Sequence, residues 1–326
     1  MKAPLLQTKG LCKDYLLPRQ RLTSPGPRLR AVIDVSVTLE AGQSLGIVGE
    51  SGCGKSTLAR LVTALDRPTA GSVHFDGEDL FALAPEALRR LRRRFQMVFQ
   101  DPYGSLDPRH RIGRSIAEPL TTLEAPGSRA ETNERVAGVL EDVGLKASDA
   151  SRYPHEFSGG QRQRIAIARA IITHPGLVVA DEAVSALDVS VQAQVLNLFL
   201  DLQERQGLTY LFISHDLAVV RHIAQQVCVM YRGRVVESGP TATVFTQPAH
   251  PYSRALLDAV PHPDPARRRR GGKRAAPAQI LDDPLTLPLG CAYASRCPRA
   301  LPRCREAVPE LTAAAPGQRV ACFNPL

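Results

Sequence analysis

The sequence contains no tryptophan, 3 methionines and 5% aromatic residues in all, so it lacks the stacking platforms with which single-strand nucleic-acid binders hold bases. Its apolar runs are all broken by charge, glycine or proline before the ~18–20 residues that a membrane span needs. The start, Met1-Lys2-Ala3-Pro4, leads into a mixed polar stretch without the apolar segment of a signal peptide. These absences lead us to expect a cytosolic chain that reaches a membrane only through a partner. What is present is 326 residues, 44% hydrophobic and 22% charged, about two domains at ~150 residues each. That balance is globular and excludes wholesale disorder.

Lys and Arg number 41 against 32 Asp and Glu, a net charge of +9. Such an excess suits nucleic acid, acidic lipid or nucleotide phosphates. Part of it is the run Arg267 to Arg270 with Lys273 and Arg274 beside Gly271-Gly272, which reads as a solvated linker. A second group, Arg89, Arg90, Arg92, Arg93 and Arg94, reads as the solvated face of a helix running into Phe95-Gln96-Met97-Val98-Phe99. Of 7 cysteines, Cys12, Cys53 and Cys228 are scattered, whereas Cys291, Cys297, Cys304 and Cys322 crowd into the last 36 residues. In a cytosolic chain such crowding points to metal ligands before disulfides.

Strands are expected at Leu5 to Lys9, over the alternating Val32, Val35, Val37 and Leu39, and at Val73 to Phe75 before the turn Asp76-Gly77. Leu45-Gly46-Ile47-Val48 and Leu177-Val178-Val179-Ala180 are wholly apolar, the pattern of strands buried on both faces of a parallel sheet. Thr209 to Ser214 and Val227 to Tyr231 add two more. Helices are expected from about Lys55 to Leu65, through most of Asp101 to Tyr153, after Ser158-Gly159-Gly160, and with Val195, Leu198, Phe199 and Leu202 on one face. Strands alternating with helices make an α/β parallel sheet with a helical insertion, and the proline-rich chain past Gly239 reads as an appendix to it.

Gly49-Glu50-Ser51-Gly52-Cys53-Gly54-Lys55-Ser56, followed by Thr57, fits G-x-x-x-x-G-K-[ST] between an apolar strand and a helix. Glycines let such a loop curl its N–H groups, with the helix N-terminus, around a phosphate. Lys55 would neutralise β/γ oxygens and Ser56 would ligate Mg²⁺. Asp181 and Glu182 end an apolar strand, where one acid can hold the metal through water and the other can polarise the attacking water. Ser158-Gly159-Gly160-Gln161 opens a helix and makes another anion site.

On these residues the chain resembles an ATP-binding cassette (ABC) ATPase. Phe157-Ser158-Gly159-Gly160-Gln161 is similar to the family signature, with Phe for the commoner Leu. The resemblance implies a phosphate-loop (RecA-like) α/β nucleotide-binding domain with a helical subdomain, an antiparallel β subdomain and a C-terminal cysteine-containing extension. It places the ATPase core at 1–100 and 160–245, the helical subdomain at 101–159 and the extension at 246–326. It implies that Gln100 contacts Mg²⁺ and couples to a transmembrane partner, that Ser185-Ala186-Leu187-Asp188 is the D-loop, that His215 contacts the γ-phosphate, and that Tyr15 stacks on adenine. Ala183 stands where the family usually has Pro, which would loosen the turn after Glu182. The family works as a head-to-tail pair, so Ser158, Gly159, Gly160 and Gln161 would face the partner's phosphate loop, as a charge-stabilising group supplied in trans.

Three further segments resemble the F-type ATPase subunit of dipeptide/oligopeptide and nickel importers: Gln100 to Arg109, Ala183 to Leu196 and Pro248 to Leu257. That resemblance implies peptide import, a heterodimer with a related second ATPase, two permease subunits, an extracytoplasmic binding protein, and a peripheral place at the cytoplasmic face of the membrane. Nickel or glutathione import, or a soluble ATPase of a non-transport complex, are the alternatives. A nucleic-acid-acting cassette rests on net charge alone. The tail spacing Cys291-x5-Cys297-Pro298-x5-Cys304-x17-Cys322 lacks the paired knuckles of structural zinc. Cys followed by Pro, and the cluster held by some importers that this tail resembles, imply a [4Fe–4S] group, with zinc or free buried thiols as the other readings.

Overall fold

In the computed structural model, residues 3–18, 26–101, 104–123, 127–260, 285 and 288–326 are described. The arginine run at 267–270, Lys273, Arg274 and the Pro102-Tyr103 pair of the Gln100 segment lie outside them.

The apolar segments without a polar side chain to turn to water form the centre of a sheet. Strands β4 (Ser44–Val48), β8 (Leu177–Asp181), β9 (Thr209–Ile213) and β10 (Gln226–Tyr231) lie in the parallel order β10-β4-β9-β8. Alternate side chains go to opposite faces. Val178, Ala180, Tyr210 and Phe212 join one hydrophobic cluster, while Leu177, Val179, Leu211 and Ile213 join another. At one edge, residues Phe95–Val98 form β7, parallel to β8 with Val98 opposite Ala180. The helix read through the arginine cluster therefore stops early. α2 (Pro85–Leu91) gives way to one 3-10 turn at Arg92–Arg94, because Phe95 and Val98 gain burial by pairing with β8.

A second, antiparallel sheet is built from β1 (Leu6–Leu16), β2 (Arg28–Val35), β5 (Ala70–Phe75) and β6 (Glu78–Asp79), in the order β2-β1-β5-β6, with β3 (Thr38–Leu39) also on β1. Between the two sheets in sequence runs α1 (Lys55–Val62). The insertion holds α3 (Ile112–Leu123), α4 (Arg129–Asp142) and α5 (Gly159–Ile171); Ser128 and Ser158 cap the last two through reciprocal boxes with Glu131 and Gln161. Next comes α6 (Val189–Gln206), capped by Asp188 and stopped by the left-handed Gly207, φ 66°. Then come α7 (Leu217–Ile223), α8 (Thr241–Thr246) and α9 (Pro251–Asp258). No helix among the described residues is long and apolar enough to cross a membrane.

The tail is not an appendix. After β10 the main sheet continues antiparallel through β11 (Arg234–Pro240), then β13 (Gln318–Val320) and β12 (Thr312–Ala315), so the last residues complete an eight-stranded sheet. The join is polar and buried. Glu237, fully buried, accepts from the Ala249 N–H at 2.8 Å, the His250 N–H at 2.9 Å and Gln318 Nε2 at 2.7 Å. Three donors satisfy a carboxylate that water cannot reach. Beside it Tyr231, Tyr252 and Tyr293 form a ring cluster with centroids 4.5 to 5.4 Å apart.

His250 sits against this cluster, and its Nδ1 accepts from the Tyr252 N–H at 3.0 Å. Burial pushes its pKa down to about 4. The unfolded chain takes up the proton near the ordinary histidine value of ~6.5 and the folded chain does not until about pH 4. Stability is therefore full above that ordinary value and falls as pH drops from ~6.5 towards 4, by up to ~3 kcal/mol. His250→Asn keeps an acceptor without the titration. Denaturant unfolding across this window is expected to show a steeper loss for the wild type than for the variant; parallel curves would contradict it.

Candidate functional site

The loop leaving β4 passes closely between two other backbones. A Cβ on Gly49 (φ +155°) would stand 2.2 Å from the Met230 carbonyl oxygen, and one on Gly54 (φ +107°) 2.1 Å from that of Ala31. Only glycine combines these angles with that approach. The loop then enters α1, turning its first N–H groups and the positive helix end outward. Lys55 is 4% exposed and donates to the carbonyls of Gly49 (2.8 Å) and Glu50 (3.0 Å), so its ammonium is folded onto the loop.

The parallel ladder brings the other chemistry to this loop. Asp181 pairs with Ile213 and Ile213 with Ile47, so β4, β9 and β8 end in one row. Asp181 and Glu182, Ser214 and His215, and Val48 and Gly49 follow along it. Ser56 Oγ donates to Asp181 Oδ1 at 3.0 Å. Burial raises the Asp181 pKa, opposed by the Ser56 bond and assisted by the charge of Glu182. Glu182 Oε2 accepts from Gln100 Nε2 at 3.1 Å and faces His215 Nδ1 at 3.2 Å. Because a carboxylate can only accept, Nδ1 carries the hydrogen. Glu182 itself stands at φ +49°, with its N–H on the Ile213 carbonyl at 2.9 Å. The turn after it holds without the usual proline: the Ser185 N–H and hydroxyl both donate to the Glu182 carbonyl, at 3.1 and 2.9 Å.

A cleft of about 480 Å³ opens over these groups, lined by Tyr15, Gly52, Gly54, Lys55, Ser56, Thr57, Gln100 and Glu182 among others. Tyr15 donates its hydroxyl to Asp66 Oδ2 at 2.8 Å, and Lys13 Nζ lies 4.9 Å from its ring centroid. The donor set fits a magnesium–nucleotide pair. Mg²⁺ takes oxygen ligands and keeps waters and phosphates in its shell, and Ser56, Gln100 and Asp181 are the oxygens at hand, with Lys55 and the loop N–H groups left for phosphate.

Other expected residues lie elsewhere. Ser158 and Gln161 are exposed and occupied in their own cap, and a Cβ on Gly160 would meet Val191 at 2.2 Å, where α5 packs on α6. Asp188 is exposed and caps α6 by accepting from the Val191 N–H at 3.0 Å. None of these four, nor Gly159, lines the cleft. Arg30, Ala31, Arg232 and Gly233 do line it and were missed in the sequence reading. The one signal for them was the basic, glycine-bearing turn Arg232-Gly233 after an apolar strand.

The iron–sulfur reading of the tail does not hold, nor does its zinc alternative. Cys291, Cys297, Cys304 and Cys322 are free and line one cavity of about 10 Å³, no more than the ~10–15 Å³ that a single water needs. Among the described residues no group of three or more His, Cys, Asp or Glu is placed to hold a metal ion. Burial also raises the thiol pKa of Cys291, Cys297 and Cys322, which disfavours the thiolate that metals bind.

Residues 32–185 match the family described as ABC transporter, and residues 236–304 the family described as oligopeptide/dipeptide transporter, C-terminal region. The chain is 48% identical to the dipeptide transport ATP-binding protein DppF of Escherichia coli over 99% of this chain and 95% of that one. It is 50% identical to the di/tripeptide transport ATP-binding protein DppF of Pseudomonas aeruginosa over 94% of each. Neither name mentions iron or sulfur. Among solved structures, the dimeric post-hydrolysis state of the ATP-binding cassette MJ0796, bound to ADP and Pi, aligns with a TM-score of 0.64 at 28% identity, covering 72% of this chain and 98% of that one.

Gly54→Ala places a side chain on a strained backbone against the Ala31 carbonyl. It is expected to cost ~1–3 kcal/mol of stability and to abolish nucleotide binding, read by thermal unfolding with and without MgATP. A ligand-induced rise in Tm equal to that of the wild type would contradict the loop geometry.

Proposed function

The chain belongs to the ATP-binding subunits of peptide ABC transporters, and on that premise we propose that it hydrolyses ATP to energise the import of di- and oligopeptides. The observation that carries this reading is the meeting of Glu182, Gln100 and His215 beside a phosphate loop. In this reading the N–H groups of Gly49 to Thr57 and the ammonium of Lys55 hold the phosphates, and Tyr15 stacks on adenine. Ser56, Gln100 and Asp181 hold Mg²⁺, which supplies neutralisation of the phosphate charge. Glu182 Oε2 takes the proton of the attacking water, while Gln100 fixes its direction and His215 stands where it can meet the γ-phosphate. Glu182 has the geometry of a base held by two neighbours.

Ser158, Gly159, Gly160, Gln161 and Asp188 serve a partner's cleft. The exposure of Ser158, Gln161 and Asp188 at their helix ends, and the absence of all five from the lining of the chain's own cleft, support this, since a charge-stabilising group can be supplied in trans. The partner is a related second ATPase, and the pair docks on two transmembrane permeases at the cytoplasmic face, with an extracytoplasmic peptide-binding protein on the far side. The division into core (1–100 and 160–245), helical subdomain (101–159) and extension (246–326) belongs to the same reading. A soluble non-transport complex is not favoured, because the relatives that match nearly end to end carry peptide-transport names.

The test is the transporter assembled in liposomes from this chain, the second ATPase, the permeases and the peptide-loaded binding protein. ATP turnover is expected to rise with loaded binding protein, and peptide uptake to require ATP. Lys55→Ala removes a buried cation from the phosphate site and is expected to weaken ATP binding ~100-fold. Hydrolysis indifferent to permease and peptide, with the chain co-purifying in a soluble complex, would contradict the function.

A further inference from the structure

Glu50, the second residue of the phosphate loop, is held from three directions. Its carbonyl accepts from Lys55 at 3.0 Å. Its N–H donates to the Tyr252 hydroxyl at 2.9 Å. Its carboxylate receives both arms of the Arg296 guanidinium, Nη1 to Oε2 at 3.0 Å and Nη2 to Oε1 at 2.9 Å. Two of these three holds come from the C-terminal part of the chain, 202 and 246 positions further on. Arg296 is itself seated: it lies over the rings of Tyr231 and Tyr293, 5.9 and 5.8 Å from their centroids, and Nη1 reaches the Tyr231 hydroxyl at 3.4 Å. Tyr252, fully buried, packs on both rings.

An unpaired carboxylate at this position would repel a triphosphate and compete with it for Lys55 and the loop N–H groups. A bidentate guanidinium cancels that charge and fixes its direction, which a lysine ammonium cannot do as well. We propose that Arg296, backed by Tyr252, is a positioning residue for ATP, through which the C-terminal segment sets the affinity of the phosphate loop by neutralising and orienting Glu50. The inference rests on the cleft being the MgATP site. It gives the tail a role in nucleotide binding that needs no metal.

The experiment compares full-length wild type, Arg296→Met and the double variant Arg296→Met/Glu50→Gln by calorimetric titration with MgADP and with a slowly hydrolysed MgATP analogue, alongside kcat and KM in the assembled transporter. Arg296→Met is expected to weaken nucleotide binding and raise KM about tenfold, with kcat changed less than twofold. Adding Glu50→Gln is expected to recover most of that loss, because no charge is then left to neutralise. A brace that only held the tail in place would not be rescued by a change in the loop. Affinity within twofold of wild type in Arg296→Met, or a double variant as weak as the single, overturns the proposal. Where Arg296→Met does not fold, Arg296→Lys carries the test: a weakening that Glu50→Gln relieves supports it, and unaltered affinity overturns it. A wild type that binds neither nucleotide overturns the reading of the cleft itself.

Discussion

The parallel hydrogen-bond register of β4, β9 and β8 is the constraint on which the site depends. Because Ile47, Ile213 and Asp181 share one row, three separate stretches of chain leave the sheet at one edge and point the same way. Glu182 follows Asp181, Ser214-His215 follows Ile213, and the glycine loop follows Val48. β7 adds Gln100 just beyond Val98 at the same edge. A slip of one residue in any pairing would exchange the side chains that pack in the two clusters on opposite faces of the sheet, so the packing that stabilises the sheet also fixes the chemistry. Glu182 at φ +49° and Arg232 at φ +45°, just past the end of β10, are strained points at this edge, held there by the packing of the neighbouring strands.

The C-terminal part is tied to this edge by two carboxylates with different surroundings. Glu237 is fully buried and satisfied by neutral donors, two of them backbone N–H groups, and it fastens β11 to the segment that begins α9 and to β13. Glu50 is half-exposed and met by a guanidinium, so its bond depends on charge, unlike the contacts of Glu237. The four cysteines line a space too small for a cluster, and burial raises the thiol pKa of Cys291, Cys297 and Cys322. Their burial reads as packing of a small lobe, consistent with the general tendency of free cysteine to behave as a small hydrophobe.

Much of the centre was legible in the sequence because its signals are local. Leu177 to Ala180 and Leu45 to Val48 cannot be placed except as buried strands, and the glycines before Lys55 announce a tight loop. β7 was not legible: Phe95-Gln96-Met97-Val98 follows a helix of arginines without a break, and only pairing with β8 decides its conformation. The tail misled for a related reason. Cysteine spacing shows that four sulfurs are near in sequence, but not whether their burial leaves room for anything between them. The contact of Arg296 with Glu50 spans 246 positions, and no periodicity or motif carries information over that distance.

The central claim is that Glu182 takes the proton from water at an edge whose nucleotide-binding parts are separate from it. Single-turnover hydrolysis of bound ATP by the assembled transporter, with Glu182→Gln against wild type, tests it most directly. The account predicts ATP binding within a fewfold of wild type and hydrolysis slower by at least ~100-fold. Hydrolysis close to the wild-type rate, or a loss fully explained by weaker binding, would contradict it.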